Sequence, residues 1–591
     1  MKKIVLILVL ICATQLHAEL TPYQQCIRQQ GYDALVTTNQ SASDKITLDR
    51  PMCAYINMDS IEALPQAKGV DSCGWIEWYD PTNDVYFKKR VILNAQGNSS
   101  MSFPKKNIAV DFCEDAWEGD ETTSIQLGDW VAQDGYHLKA YYTDWLRGVG
   151  AIGYWIFDDI VADHNTYLDR AGVTDYKEGA RCYPDGFPCI VYLQGKFYGV
   201  YAWQLKKHRD NMGMDKKDAL HIHLDGTLSD VTFWQGEIDW TQFEVRNPKN
   251  LYCVTIKKGK YAKYDGDNPT ELIDETMEFY DPTNEDHVRT AQVKHAIEKL
   301  SKYYAEISQS ATPQQIKEAI ANRFDVTSLI DYFVLERVIN NYDGTAGKNC
   351  QWFTYDGTKW FVAPYDLDAI FGNVASGEFI LPATWSCWWG DYKHPAYIDI
   401  LRLCYNTYEQ DIQQRYRDLR QYQAISLEQV HTYLDEWYNA IGTNYYSLEY
   451  SKWSNSLCIR PTICNQNWQM VMDWTGFGSA IKEFDPNYTY HAGDRCCTGI
   501  CIFEATATTT GVFPYQQIGY VDSLQRYKDW ITERIRLLDE WWGCTTDVLP
   551  IRSNITPANR KYYNLLGMEV QETTPGIVIS NDGKKRINFD N

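Results

Sequence analysis

The sequence lacks any long apolar run beyond its first residues. After "MKKIVLILVLICATQLHAEL" nothing approaches the roughly 20 apolar residues that a spanning helix needs, so no transmembrane span is expected. Positive charge is also scarce: 56 Lys and Arg stand against 78 Asp and Glu, a net charge of −22. Nucleic-acid binding runs on basic patches, so a nucleic-acid partner is excluded. Two hydrolase signatures are missing, because no His-Glu-x-x-His occurs among the 11 histidines and no Gly-x-Ser-x-Gly elbow is found. Zinc is not indicated either. Cys182 and Cys189 are seven apart, and Cys496, Cys497 and Cys501 do not follow a zinc-finger spacing. "HIHLD" from His221 brings no further ligands and reads as a strand with solvent-facing histidine.

What is present begins with the leader. Lys2 and Lys3, the apolar stretch Ile4 to Ala13 and a cleavage position at Ala18 make residues 1–18 a secretory signal peptide. A lipid on Cys12 is disfavoured by the bulky Ile11 before it. Without Cys12, the 17 cysteines become an even set, which fits a disulfide-bonded protein in an oxidising compartment. The expected location is periplasmic, cell-surface or secreted.

Alternating apolar and polar residues in "MCAYINM", "GWIEWYD", "VYFKKRVILNAQG" and "KKNIAVDF" predict strands of an antiparallel sheet. "CIVYLQGKFYGVYAWQLK" predicts a hairpin turning at Gln194-Gly195. Helical spacing appears from about Thr143, in "RTAQVKHAIEKLSKYYAEI", in "DVTSLIDYFVLERVI", and again over 397–472 and 523–542. A β-rich half followed by an α-rich half predicts an α+β protein with two lobes and a cleft between them. The expected divisions are an extension over 19–50, a β-rich lobe over 51–215, a mainly helical lobe over 216–545 and a β tail over 546–591.

Two acidic clusters flank a short predicted hairpin: "NNYDGTAGKN" from Asn340 to Asn349, and "APYDLDAIFG" from Ala363 to Gly372. Phosphoryl transfer needs a carboxylate near the attacking hydroxyl, another on the metal, and a carbonyl-bearing residue to complete coordination. In that arrangement Asp343 is the base, Asn349 the second metal ligand and Asp366 the main one. Asp368, two residues on, shares a face with Asp366 if the segment is extended. Simpler readings stay open. Asp-Gly is a common turn pair, Asp and Asn cap helices, and "YDLD" also suits a calcium loop. Paired carboxylates also serve glycosidases.

The stretch "NNYDGTAGKNCQWFTYDGTKWFVAPYDLDAIFG" resembles the signature of the CotH kinase family. "AQGNSSMSFPKKNIAVDF", "HLKAYYTDWLRGVGA" and "LQGKFYGVYAWQL" resemble its other motifs in the same order. The resemblance implies a highly diverged protein-kinase-like fold that uses ATP with Mg2+ or Mn2+ to phosphorylate Ser or Thr of secreted or surface proteins. It places Gly97, Asn98, Ser99 and Ser100 over the phosphates. It pairs Lys106, with Lys105 as the alternative, to them, and makes Asp144 and Arg147 organisers of the cleft. Three positions depart from the family pattern: Gln96 replaces an Arg, Gln204 and Leu205 stand where a Glu is expected, and Tyr365 replaces a Trp. A catalytically silent surface-binding protein is the alternative.

Two further stretches resemble other modules. "YTYHAGDRCCTGICIFEATATTTGVFP", within a small β insert over 483–516, is similar to chitin-binding modules and implies a glycan partner. "YYNLLGMEVQETTPGIVISNDGKKRI" is similar to C-terminal tails of exported Bacteroidetes proteins.

Overall fold

The computed structural model describes residues 51–544 except 60–63, 81–84, 98, 114–123, 128–129, 162–166, 178, 227–232, 241–242, 249–250, 252–271, 279, 310–311, 342–343, 345–348, 375–379, 382, 385–398, 454–461, 472–480, 499–500 and 518–522. Beyond 544 it describes 562–563, 569–570, 576–580 and 585–588. The leader and the 19–50 extension lie outside these residues.

The four alternating segments fold as expected into β1 (Met52–Met58), β2 (Asp71–Asp80), β3 (Val85–Gln96) and β4 (Asn107–Cys113), each antiparallel to the next. Next come β5 (Gly135–Lys139) and the hairpin of β6 (Gly186–Leu193) and β7 (Lys196–Leu205). Its turn residues Gln194 and Gly195 both have left-handed φ, 48° and 80°, the geometry that matches strand twist. β1 then pairs parallel with β6, closing a seven-stranded barrel in the order β1-β2-β3-β4-β5-β7-β6. Closure by a parallel pair remote in sequence leaves no local signal, so the sequence predicts only a sheet. Rings fill the barrel: Tyr136 stacks on Trp203 with centroids 5.2 Å apart, and Trp130 on Phe187 at 5.2 Å. With Tyr136 and Leu138 in the core, strand alternation turns His137 and Lys139 to the opposite face.

Helix α1 (Val149–Val161) starts later than the pattern from Thr143 suggests. Arg147 takes a left-handed φ of 57°, and the Asp144 carboxylate accepts from the amides of Gly148 (2.6 Å) and Val149 (2.8 Å), which caps the helix there. A short α2 (Tyr167–Ala171) follows. The polar middle supplies β8 (Ile222–Gly226) and β9 (Phe243–Arg246). These join β10 (Cys350–Thr354) and β11 (Trp360–Pro364) in a second sheet ordered β11-β10-β8-β9. On β8, which pairs between β10 and β9, His223 is buried instead of facing solvent.

The remaining helices are α3 (Glu285–Ser308), α4 (Pro313–Arg323), α5 (Val326–Ile339), α6 (Asp399–Gln421), α7 (Leu427–Lys452) and α8 (Ser523–Trp542). Their starts are written locally: Asn284, Thr312, Asp325 and Ser426 each accept backbone N–H bonds as N-caps. One apolar core runs through barrel, second sheet and helices. Among the described residues the protein is thus mixed α+β, with eight helices and several sheets. None of these helices is long and apolar enough to cross a membrane.

Short strands between Thr462 and Gln517 form a small β module. Trp468, Tyr490, Cys496 and Phe503 make its core, joined by Val374 and Leu381. Four strands between Tyr562 and Asn588 form a separate antiparallel sheet. Among the described residues Cys73, Cys182, Cys189, Cys404, Cys496, Cys497 and Cys544 form no disulfide, so the expected framework is not seen among them. Cys182, Cys189 and Cys404 sit in the apolar core and pack as small hydrophobes. Burial pushes the Cys182 thiol up to about 12.

Candidate functional site

The β10–β11 hairpin brings the two acidic segments together. Cys350 pairs with Pro364, and the Tyr365 N–H donates to the Asn349 carbonyl at 3.0 Å. Asn349 therefore stands beside the residue that precedes Asp366, and it is buried. Helix α5 ends on Asn340, left-handed at φ 52°, a conformation asparagine tolerates well. The Phe371 N–H donates to the Ile339 carbonyl at 3.0 Å, tying the helix end to the segment after Asp366. Asp343 lies outside the described residues, as does Asn98.

Asp366 is itself left-handed, at φ 53°. Its N–H donates to the Tyr154 hydroxyl at 3.0 Å, so helix α1 helps fix this backbone. Its carboxylate accepts from the Lys139 ammonium at 3.2 Å. Asp366 and Asp368 line a small cleft together with Ser100, Lys105, Asn107 and Lys139. Burial opposes charge on Lys139, yet the nearby Asp366 carboxylate holds its pKa above the usual lysine value. No sequence motif singles out Lys139. The only signal is its place two residues after His137 on the face of β5 that leaves the barrel core.

Ser100, from the predicted Gly-Asn-Ser-Ser stretch, also lines the cleft. Gly97 has φ 117°, and a Cβ there would meet Ser100 Oγ at 1.9 Å, so glycine is required. Ser99 and Ser100 lie in a short 3-10 turn, Ser99–Ser102. Asn107 Nδ2 donates to Ser100 Oγ at 3.3 Å, and Asn107 Oδ1 accepts the Ala140 N–H at 2.7 Å, linking this turn to the end of β5.

The two predicted lysines do different things. Lys106 donates to the Met101 carbonyl at 2.8 Å and to that of Phe103, closing the turn. Lys105, fully buried at the cleft, donates to Glu449 at 2.8 Å and to the Val200 carbonyl. Arg147 Nε meets the same Glu449 oxygen at 2.8 Å, and the other oxygen accepts the Val200 N–H at 2.7 Å. Burial alone would raise the Glu449 carboxyl, but Lys105 and Arg147 hold it below its ordinary value. Glu449 lies on α7, far along the chain, and no local pattern marks it. The Asp144 carboxylate caps α1 and accepts from the Tyr527 hydroxyl at 2.7 Å, while Arg147 serves Glu449 and also donates to the Asp144 carbonyl at 2.8 Å.

Glu336, also unmarked in the sequence, lies against Asn341 and Gly344. It is buried, accepts from Asn341 Nδ2 at 3.2 Å, and would lie 2.6 Å from a Cβ on Gly344. Burial pushes its carboxyl up to about 8. Between about pH 4.5 and 8 the folded chain keeps a proton that the unfolded chain has lost, so this group makes stability fall as pH rises through that window. Glu336→Gln keeps an acceptor without the titration. It is expected to flatten the pH dependence of Tm between pH 5 and 8 and to raise stability at pH 8 by about 4 kcal/mol. A variant profile parallel to wild type would refute the assignment.

The oxygen donors Asp366, Asp368 and Asn349 suit a hard divalent cation such as magnesium or manganese. Among the described residues no three His, Cys, Asp or Glu side chains converge as a metal-binding group, and Asp343 is not among those residues.

Paired aspartates, lysines and a serine of the glycine-serine turn thus line one cleft of this mixed α+β protein. The chain is a member of the CotH kinase protein family, whose model matches residues 93–537. No curated protein matches it.

Proposed function

We propose that the protein is an exported kinase of the CotH type, transferring the γ-phosphoryl group of ATP to Ser or Thr of secreted or surface proteins. The observation that carries this reading is the cleft in which Asp366, Asp368, Lys139 and Lys105 face Ser100 and Asn107. In this reading the barrel and the helical half act as the two lobes of a kinase-like fold. A divalent cation, when bound, would neutralise phosphate charge. Asp366, Asp368 and Asn349 would hold that cation. The backbone and hydroxyls of Gly97, Asn98, Ser99 and Ser100 would donate to phosphate oxygens. Lys105 and Lys139 would supply positive charge at the cleft, with Lys106 bracing the turn. Asp343 would accept the proton of the acceptor hydroxyl as the phosphoryl group leaves ADP.

A second reading is favoured by one observation: Tyr488 and Phe513 on the small β module are 52% and 45% exposed, as sugar-stacking rings would be. A silent scaffold docking glycan through them would not need ATP. One titration separates the two. ATP with magnesium or manganese at about a hundredfold excess over Kd is expected to stabilise the protein by about 2.7 kcal/mol and raise Tm, with labelled phosphate appearing on protein substrate. A Tm shift with chitin oligosaccharide, and neither shift nor transfer with ATP, would reject the kinase reading.

A further inference from the structure

The small β module is strung between α7 and α8, yet its core is not built from its own residues alone. Val374 and Leu381, from the segment that follows Asp366, complete the cluster of Trp468, Tyr490, Cys496, Phe503 and Ala505. Leu381 and Val374 are both buried there. The same segment also belongs to the main core, through Ile370 and Phe371 before Val374 and through Ala383 after Leu381. The chain that leaves Asp366 therefore passes from one core to the other and back. A β module this short buries little apolar surface by itself, so the borrowed side chains matter to it.

Hydrogen bonds hold this crossing in one shape. Phe371 and Gly372 are both left-handed, at φ 53° and 82°, and the Leu381 N–H donates to the Gly372 carbonyl at 2.8 Å. A Cβ on Gly372 would meet the Leu381 carbonyl oxygen at 2.6 Å, so the close approach requires glycine. Helix α8, which follows the module in the chain, grips the same place. Trp530 Nε1 donates to the Leu381 carbonyl at 2.8 Å, while Arg526 donates to Asn373 Oδ1 at 3.1 Å and to the Phe371 carbonyl at 3.3 Å. Toward the cleft, the Phe371 N–H is tied to Ile339 at the end of α5. Close-packed interiors transmit displacement, so a shift at Leu381 reaches the segment that carries Asp366. We propose that the β module is a positioning element for this acidic segment: Trp468 and its neighbours, packed on Val374 and Leu381, set the placement of Asp366 and Asp368 and with it the affinity for a divalent cation. The cation rests on the kinase reading, but the placement of the segment is measurable without any ligand. A module attached by its two chain ends alone would leave the segment untouched when its core is perturbed.

The test uses the full mature chain carrying Trp468→Ala, which opens the module core at a residue outside the cleft lining. Hydrogen exchange read by mass spectrometry, with neither nucleotide nor metal, is expected to run about tenfold faster in peptides covering 366–381, with peptides from β3 and β4 unchanged. The milder Val374→Ala should give the same pattern at about threefold. Faster exchange confined to the module, or an equal rise in the barrel in both variants, would overturn the proposal. Mn2+ binding in the presence of ATP, followed by the electron paramagnetic resonance signal of free Mn2+, is expected to weaken about fivefold in Trp468→Ala. Unaltered Mn2+ affinity in a variant whose 366–381 amides exchange faster would overturn the link between placement and cation. Faster exchange over 366–381 in a protein that binds no Mn2+, with or without the substitution, supports positioning and counts against the kinase reading alone.

Discussion

Asp366→Asn should leave a folded protein whose phosphate transfer is at least about 100-fold slower, about 2.7 kcal/mol in barrier height. The substitution isolates charge from shape. Asp366 is left-handed, and asparagine adopts that conformation with little strain. An Asn side-chain oxygen can still accept from Lys139, and the backbone N–H can still donate to Tyr154. The side chain is 36% exposed, so little packing is lost. What disappears is the negative charge that a divalent cation requires. The Tm rise produced by ATP with magnesium or manganese should vanish along with transfer. A variant retaining transfer within about threefold of wild type would remove Asp366 from the metal role.

The second large effect concerns stability. Glu449→Ala is expected to lower stability by about 3–5 kcal/mol, because Lys105 and Arg147 would be left as buried, unpaired cations. Tm should fall by on the order of 10 °C. The Val200 N–H also loses its acceptor, which loosens β7 where it meets α7. Glu449→Gln keeps an acceptor but not the charge and should fall between the two. Adding Lys105→Met to Glu449→Gln removes one of the unpaired cations and should recover part of the loss. If Glu449→Ala melts within about 1 °C of wild type, this carboxylate does not hold the barrel to the helices.

Several features were readable because their causes are local. The Gln194-Gly195 turn, the alternation in β1 to β4 and the N-caps on α3, α4, α5 and α7 depend on residues a few positions apart. The hairpin that returns Tyr365 to Asn349 was readable in the same way. Lys105 and Lys106 show the limit. They are adjacent in sequence and the family resemblance makes them alternatives for one role, but alternation near β4 sends one to Glu449 and the other to its own turn. The late start of α1 depends on Asp144 capping in three dimensions, which helical spacing alone does not reveal.

The sequence by itself determined the family, the order of β-rich and α-rich halves, the two acidic clusters and the glycine that allows the turn at Gly97. Each of these is a property of residue type at short spacing, where side-chain period and backbone freedom act directly. Only the tertiary structure decided that the first sheet closes into a barrel, that Lys139 meets Asp366, and that Glu449 joins Lys105 and Arg147. Those contacts are set by burial. A charge removed from water must find its partner wherever packing places one, and packing ignores distance along the chain.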